Sequence, residues 1–260
     1  MINQSTIETL KEMRLGAMAA QFDDQLKNPE LYRDLCFEER FGMLVDAEWA
    51  KRQSSKLSRY ISSARFAEPG ASIEGIEYHP DRKLDKTEMT RLSTCRFIDE
   101  KHHIIIQSAS GNGKTYISCA IGNAACRKLK TVRYIRMPEL LEELGIGKAC
   151  GTLKKVLKEF TKVDLLIIDE WLLRCITSQE VHDLLEIIES RRNRSTVFCS
   201  QYNSKGWYDR LGNDDDKPVV EAILDRIIHN AYEIRIEGDI SMRERHGMKA
   251  REKRRTGRTG

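Results

Sequence analysis

Residues 104–115 read I-I-I-Q-S-A-S-G-N-G-K-T, a spacing of residue types suited to holding a polyphosphate. Backbone N–H groups of a glycine-bearing loop converge on phosphate oxygens where a helix begins. A lysine then reaches the β/γ oxygens, and a hydroxyl beside it ligates Mg²⁺. The candidate triphosphate-binding residues are Ser108, Ala109, Ser110, Gly111, Asn112, Gly113, Lys114, Thr115 and Tyr116, with Thr115 also a metal ligand. Ser108 departs from the pattern G-x-x-x-x-G-K-[ST], because it stands at the opening glycine.

A second group lies about 50 residues on, at L-L-I-I-D-E, residues 165–170. An apolar strand delivers two carboxylates to its C-terminal edge, where ligands sit in α/β sheets. Asp169 is expected to hold Mg²⁺ beside Thr115, and Glu170 to act as base or orienting group for an attacking water. Ser200 and Gln201 end a further buried run and could touch the γ-phosphate or the water; a polar strand terminus is the plainer reading. Phosphoryl transfer needs cations on the γ-phosphate, and Arg226 and Arg243 are the two candidates. A helix-surface ion pair for Arg226 and the start of a tail for Arg243 are the alternatives.

The elements that must position these groups follow from periodicity. Apolar runs at 103–107, 131–136, 164–168, 195–200 and 232–236 predict strands. Helical patterns fall between them at 115–128, 138–146, 152–160, 178–192 and 219–230. This alternation predicts an α/β fold, a parallel sheet with helices on both faces. Earlier residues show no strand-like alternation. Helices are expected over Thr6–Leu26 and Phe37–Phe66, the second carrying Lys51, Arg52, Lys56, Arg59 and Arg65. Those five are either the charged outer face of a small bundle or a face laid along a nucleic-acid backbone. Residues 67–100 contain Pro69, Gly70, Gly75 and Pro80 and predict a linker with a short helix at 87–98. The resulting domains are a helical 1–68, a linker 69–100, an α/β module 101–243 and a basic tail 244–260. His102 and His103 read as strand-edge residues, Asp214–Asp216 as a solvated run, and Trp207 with Tyr208 as packing beneath a loop.

Composition narrows the class. The chain has 260 residues, 40% hydrophobic and 32% charged, typical of a water-soluble globular protein with a real core. No apolar run has the length of a membrane span, and the first residues lack a basic and then apolar signal segment, so a cytoplasmic location is expected. Seven scattered cysteines without metal spacing fit a reducing compartment. The net charge of +4 is uneven. Residues 243–260 carry eight Lys/Arg and two Glu, leaving 36 basic and 38 acidic residues elsewhere. Such a tail is either a solvated end or a phosphate-neutralising one.

Taken together, S-G-N-G-K-T, L-L-I-I-D-E, C-S-Q, K-G-W-Y-D-R-L-G at 205–212, I-L-D-R-I-I-H-N-A at 223–231 and G-D-I-S-M-R at 238–243 resemble the IstB-like transposition helper ATPases. These partner the transposase of IS21-type insertion sequences and are related to DnaC-type helicase loaders. M-R-L-G-A-M-A-A-Q and E-E-R-F-G-M-L-V-D-A-E-W-A-K-R resemble that family's helical N-terminal domain, and the likeness spans all but the last dozen residues. The resemblance implies an AAA+ P-loop ATPase that binds ATP and Mg²⁺ and assembles head to tail as a homo-oligomer with ATP between subunits. It also implies binding and bending of duplex DNA and delivery of that site to a cognate transposase. On the family's pattern Arg226 is a finger donated in trans, and Arg243 a sensor acting within its own subunit. Loading a replicative helicase onto single-stranded DNA is the alternative. Ser108 and Ala109 stand where the family has Gly-Pro, and serine enters positive φ less cheaply than glycine, which bears on affinity or turnover.

Overall fold

The computed structural model describes residues 2–212, 214–238 and 240–247. The chain divides into two compact units, Met1–Arg59 and Tyr60–Gly260.

In the first unit, α1 (Ile2–Glu12) and α2 (Gly16–Lys27) are followed by the long α3 (Phe37–Ala64), whose last turn lies beyond Arg59. The apolar stripe over Thr6–Leu26 is therefore divided between two helices. Arg14 takes a left-handed conformation (φ +60°), Leu15 N–H returns to the Leu10 carbonyl at 2.8 Å, and Arg14 N–H to that of Lys11 at 2.9 Å. This six-to-one and five-to-two closure ends a helix even while the apolar spacing runs on. The buried Glu48 carboxylate on α3 then accepts from Ala17 N–H at 3.0 Å and Met18 N–H at 3.3 Å, satisfying the first turn of α2. Among the described residues of this unit, Ile7, Ala19, Tyr32 and Leu44 are the buried apolar ones.

The second unit carries a five-stranded, all-parallel sheet in the order β2-β3-β4-β1-β5. The strands are β1 (His103–Ser108), β2 (Val132–Arg136), β3 (Leu165–Trp171), β4 (Ser195–Ser200) and β5 (Ala231–Ile236). Runs such as Ile104–Ile106 and Leu165–Ile168 are apolar at every position because both faces are covered. One face holds α6 (Lys114–Arg127), where Gly122 admits Phe66 and Ile167; a Cβ there would meet the Phe66 ring at 2.5 Å. The other holds α7 (Met137–Ala149), α9 (Ser178–Ser190) and α11 (Lys217–Ile228) around Ile105, Leu166 and Phe198. α8 (Leu153–Thr161) and the short α10 (Ser204–Tyr208) complete that layer, and α12 (Met242–His246) follows β5.

Residues 69–100 do not form a linker. They belong to the second unit and carry α4 (Lys86–Ser93) and α5 (Arg96–Asp99), with Ala71, Ile76, Leu84, Met89, Leu92 and Phe97 buried. Asn123 on α6 donates to the carbonyls of Pro69 at 3.1 Å and Ala71 at 2.8 Å, fixing this belt to the nucleotide-loop helix.

Two smaller expectations also change. His103 is interior, because β1 lies between β4 and β5; its Nδ1 accepts from Thr196 N–H at 3.1 Å. Asp216 is buried and accepts from Ser178 Oγ at 2.7 Å, so the acidic run is not wholly solvated. Trp207 does pack inside, against Trp171, while Tyr208 is exposed.

Candidate functional site

A cleft of about 570 Å³ opens at the C-terminal ends of β1 and β3. Ser110, Gly111, Gly113, Lys114, Thr115 and Tyr116 line it from the loop between β1 and α6. Gly111 and Gly113 carry the positive φ angles, +84° and +87°, and Ser108 does not. Ser108 is the last residue of β1, paired in register with Ile236. The opening position thus needs no glycine, and the expected strain at Ser108 is absent.

Lys114 Nζ donates to the carbonyls of Ser108 at 2.7 Å and Ala109 at 2.8 Å. Burial pulls its pKa below the usual lysine value, and the Arg243 cation pushes the same way, against Asp169. An anion arriving at the loop relieves both effects, so the ammonium is poised for phosphate. Ser108, Ala109 and Asn112 do not line the cleft; they shape the loop from behind.

Across the cleft, Thr115 Oγ1 donates to Asp169 Oδ2 at 2.6 Å. This pairs a hydroxyl and a carboxylate at one point from two elements, a hard oxygen set that fits Mg²⁺. The fit extends to ATP, since the loop presents a lysine and a helix N-terminus to a cleft of sufficient size. Asp169 is held further by Tyr134 on β2, whose OH donates to Oδ2 at 2.9 Å, and by Glu170 N–H at 2.8 Å on Oδ1. Burial, and then the Asp169 carboxylate, raise the Tyr134 pKa well above the usual tyrosine value, so the phenol stays a donor. Glu170 adopts φ +55°, beside a register shift in the β3–β4 ladder between Ile168 and Trp171. Such a bulge re-aims a side chain at some conformational cost. Glu170 lines the cleft and lies 3.8 Å from Arg136 Nη1.

Of the remaining candidates, Gln201 and Arg243 line the cleft and Ser200 does not. The Ser200 hydroxyl donates to the Trp171 carbonyl at 3.0 Å and accepts from Trp207 Nε1 and Tyr202 N–H, each at 3.1 Å. With its bonds committed inside the core, it has none for a phosphate. Arg226 does not reach this cleft either: it donates to Glu189 at 3.1 Å and to the Ala222 carbonyl at 2.7 Å.

Several lining residues carried no sequence signal. The belt contributes Ile76, Glu77 and Arg82, and α12 contributes Met242 and His246. Arg82 is 3% exposed; its Nη2 donates to the Asn112 carbonyl at 2.8 Å and its Nη1 to that of Glu77. Burial lowers its pKa from the arginine value while Glu77 opposes the shift. The α12 segment is stitched to the same structures by Met242 N–H to Gly111 O at 2.9 Å, by Arg245 to Asp81 and by His246 to Glu77 at 2.9 Å.

In the first unit, Lys51, Arg52, Lys56 and Arg59 gather with Arg14 around a concavity of about 670 Å³. Arg65 is not among them. It lies in the second unit with φ +55°, lining a small pocket with Arg133 and Arg136. Of the basic tail offered for phosphate contact, 244–260, residues 248–260 lie outside the described residues.

Comparison with known proteins agrees with this geometry. The chain is 34% identical to the insertion sequence ATP-binding protein y4pL of Sinorhizobium fredii over 240 residues, 92% of this chain and 96% of that one. It is 36% identical to the IS1162 ATP-binding protein of Pseudomonas fluorescens over 205 residues, 78% and 88% of the respective chains. Among solved structures, DnaI superposes with a TM-score of 0.56 at 23% identity, covering 64% of this chain and 91% of that one. AMPPCP-bound DnaA from Aquifex aeolicus gives 0.55 at 17%, covering 68% and 53%. Both share the AAA+ P-loop fold. The model of the IstB-like ATP binding protein family matches residues 8–250, and with so much of its length accounted for the chain belongs to that family.

Proposed function

We propose that the protein is an ATPase that assembles on duplex DNA, remodels it and assists a transposase. The observation that carries the reading is the 2.6 Å meeting of Thr115 and Asp169 beside Glu170, across the cleft from the loop that carries Lys114. Lys114 and the loop N–H groups bind and orient the polyphosphate. Thr115 and Asp169 would hold a magnesium ion, and the chemistry it would supply is neutralisation of charge on the phosphates. Glu170 takes the proton of the attacking water. Arg243 senses the γ-phosphate from within the chain, and Arg226 serves the nucleotide of a neighbouring copy. Ser200 has no part in this scheme.

Lys51, Arg52, Lys56 and Arg59, joined by Arg14, contact the DNA backbone, which gives affinity without sequence preference. The names of the relatives support the setting, since both are insertion sequence ATP-binding proteins. Turnover of ATP, measured with and without duplex DNA, tests the proposal. Duplex is expected to stimulate hydrolysis, and Lys114→Ala to abolish both hydrolysis and ATP-dependent assembly on DNA. Unimpaired ATP-dependent assembly by that variant would end this reading. A preference for single-stranded DNA and a ring helicase over duplex and transposase would replace the partners.

A further inference from the structure

Two carbonyls of the nucleotide loop are held from outside the loop. Gly111 O accepts from Met242 N–H at 2.9 Å, and Asn112 O accepts from Arg82 Nη2 at 2.8 Å. A trans peptide is planar, with its C=O and N–H pointing opposite ways. Holding Gly111 O therefore sets the direction of Asn112 N–H, and holding Asn112 O sets that of Gly113 N–H. Amides of this kind are what a phosphate loop aims at its anion. Gly111 and Gly113, at φ +84° and +87°, are also the loop residues whose backbone turns most freely. Without outside partners, ordering them would be charged to the binding step.

The Met242 contact depends on how α12 is docked. The first turn of α12 is closed by Ser241, whose Oγ accepts from Glu244 N–H at 3.1 Å. Its far end is fixed to the belt by Arg245 on Asp81 and by His246 Nε2 on Glu77 Oε1 at 2.9 Å. The fit is close, since a Cβ on Gly111 would meet Ser241 Cβ at 3.0 Å. It is also electrostatically unfinished. The Nε atoms of Arg82 and Arg245 are buried without a hydrogen-bond partner among the described residues. Burial lowers the Arg82 pKa, opposed by Glu77 and reinforced by the Arg245 cation. Two neighbouring guanidinium groups at the wall of a cleft favour a polyanion inside it.

We propose that α12 is a positioning brace for the phosphates. Docked on Asp81 and Glu77 through Arg245 and His246, it holds the Gly111 carbonyl with Met242 N–H and keeps the loop amides aimed into the cleft. The proposal rests on the reading that this cleft binds ATP. By linkage, bound nucleotide tightens the docking of α12 by the same factor with which docking tightens nucleotide.

Proline at position 242 deletes the donor. Met242 is the first residue of α12, where proline is tolerated, and Ser241 (φ −67°, ψ 152°) already has the extended backbone that precedes a proline. Met242→Ala keeps the N–H and accounts for the side chain. In titrations of the full chain with fluorescent ATP and ADP analogues, Met242→Pro is expected to bind about 5-fold more weakly than Met242→Ala, as the loss of one hydrogen bond predicts. Arg245→Ala, which leaves the start of the helix untouched, is expected to weaken binding by a similar factor, and Arg245→Lys to recover most of it. ATP is expected to slow hydrogen exchange across residues 241–247 in wild type, and to slow it less in Arg245→Ala. Equal affinities for Met242→Pro and Met242→Ala, or exchange unmoved by ATP, would overturn the brace. A loss confined to ATP and absent for ADP would assign the effect to Arg243 at the γ-phosphate, and would overturn it too. A wild type that binds neither nucleotide would instead bring down the ATP reading, and the brace with it.

Discussion

Tyr134→Phe isolates one contact in the cleft. The ring of Tyr134 is buried in β2, and the substitution keeps its packing while deleting the OH that donates to Asp169 Oδ2 at 2.9 Å. A hydrogen bond to a charged acceptor is worth about 1.5–3 kcal/mol. At roughly 2–4 °C per kcal/mol for a unit of this size, the melting temperature should fall by about 5 °C. The larger effect falls on metal use. Asp169 Oδ2 also accepts from Thr115 at 2.6 Å, a bond that leaves the lone pairs of that hydroxyl free to ligate magnesium. In the wild type Tyr134, Thr115 and the Glu170 N–H orient the carboxylate; in the variant Thr115 and the Glu170 N–H at 2.8 Å remain, and Oδ2 loses the donor that fixes it from β2. A loss of ~1.4 kcal/mol in cation binding is a tenfold rise in half-saturating Mg²⁺. Titration with a fluorescent ATP analogue should show that rise, with metal-free nucleotide affinity nearly unchanged. If both melting temperature and Mg²⁺ dependence match wild type, Thr115 and Glu170 suffice to hold Asp169 and the reasoning fails.

Three other outcomes follow from the geometry. Ser108→Gly should bind ATP at least as tightly as wild type, since φ at 108 is not positive; a clear loss in a binding titration would mean the loop is misread. Arg82→Met should weaken nucleotide binding about tenfold or more, because it strands the buried carbonyls of Asn112 and Glu77; unchanged affinity would make Arg82 merely structural. His103 is held near pKa 4, mainly by burial, against 6.5 in the unfolded chain. Its unfolded form takes a proton that its folded form refuses, so this contribution is full above pH 6.5 and lost as pH falls toward 4, at most about 3 kcal/mol. His103→Asn should flatten melting temperature against pH across that window, and an unaltered slope would remove His103 as the cause.

What the sequence revealed depended on where each signal resided. Ile104–Ile106 and Leu165–Ile168 announce buried parallel strands because every position is apolar, and the loop between β1 and α6 has a local spacing of its own. The belt at 69–100 has neither property. Ala71, Ile76 and Leu84 are buried one at a time, and partners such as Asn123 lie some fifty residues away. The break at Arg14 was hidden because Met13 and Leu15 continue the apolar stripe and arginine seldom marks a left-handed turn. Ser200 and Gln201 look alike as a polar strand end. The indole of Trp207 decides between them by drawing the serine inward. Tyr134 read as one more apolar strand residue, and only the β2–β3 register, Arg136 opposite Asp169, reveals how near it comes to the acid.

The proposed function has ATP in this cleft drive assembly on DNA. Electron microscopy of the full chain with duplex DNA, with and without ATP, tests it most directly, using Glu170→Gln to retain the bound triphosphate. Ordered multi-subunit assemblies on duplex are expected only when ATP is present, and more of them with Glu170→Gln. Equal assembly without nucleotide, or none on duplex with ATP and the Gln variant, would contradict it.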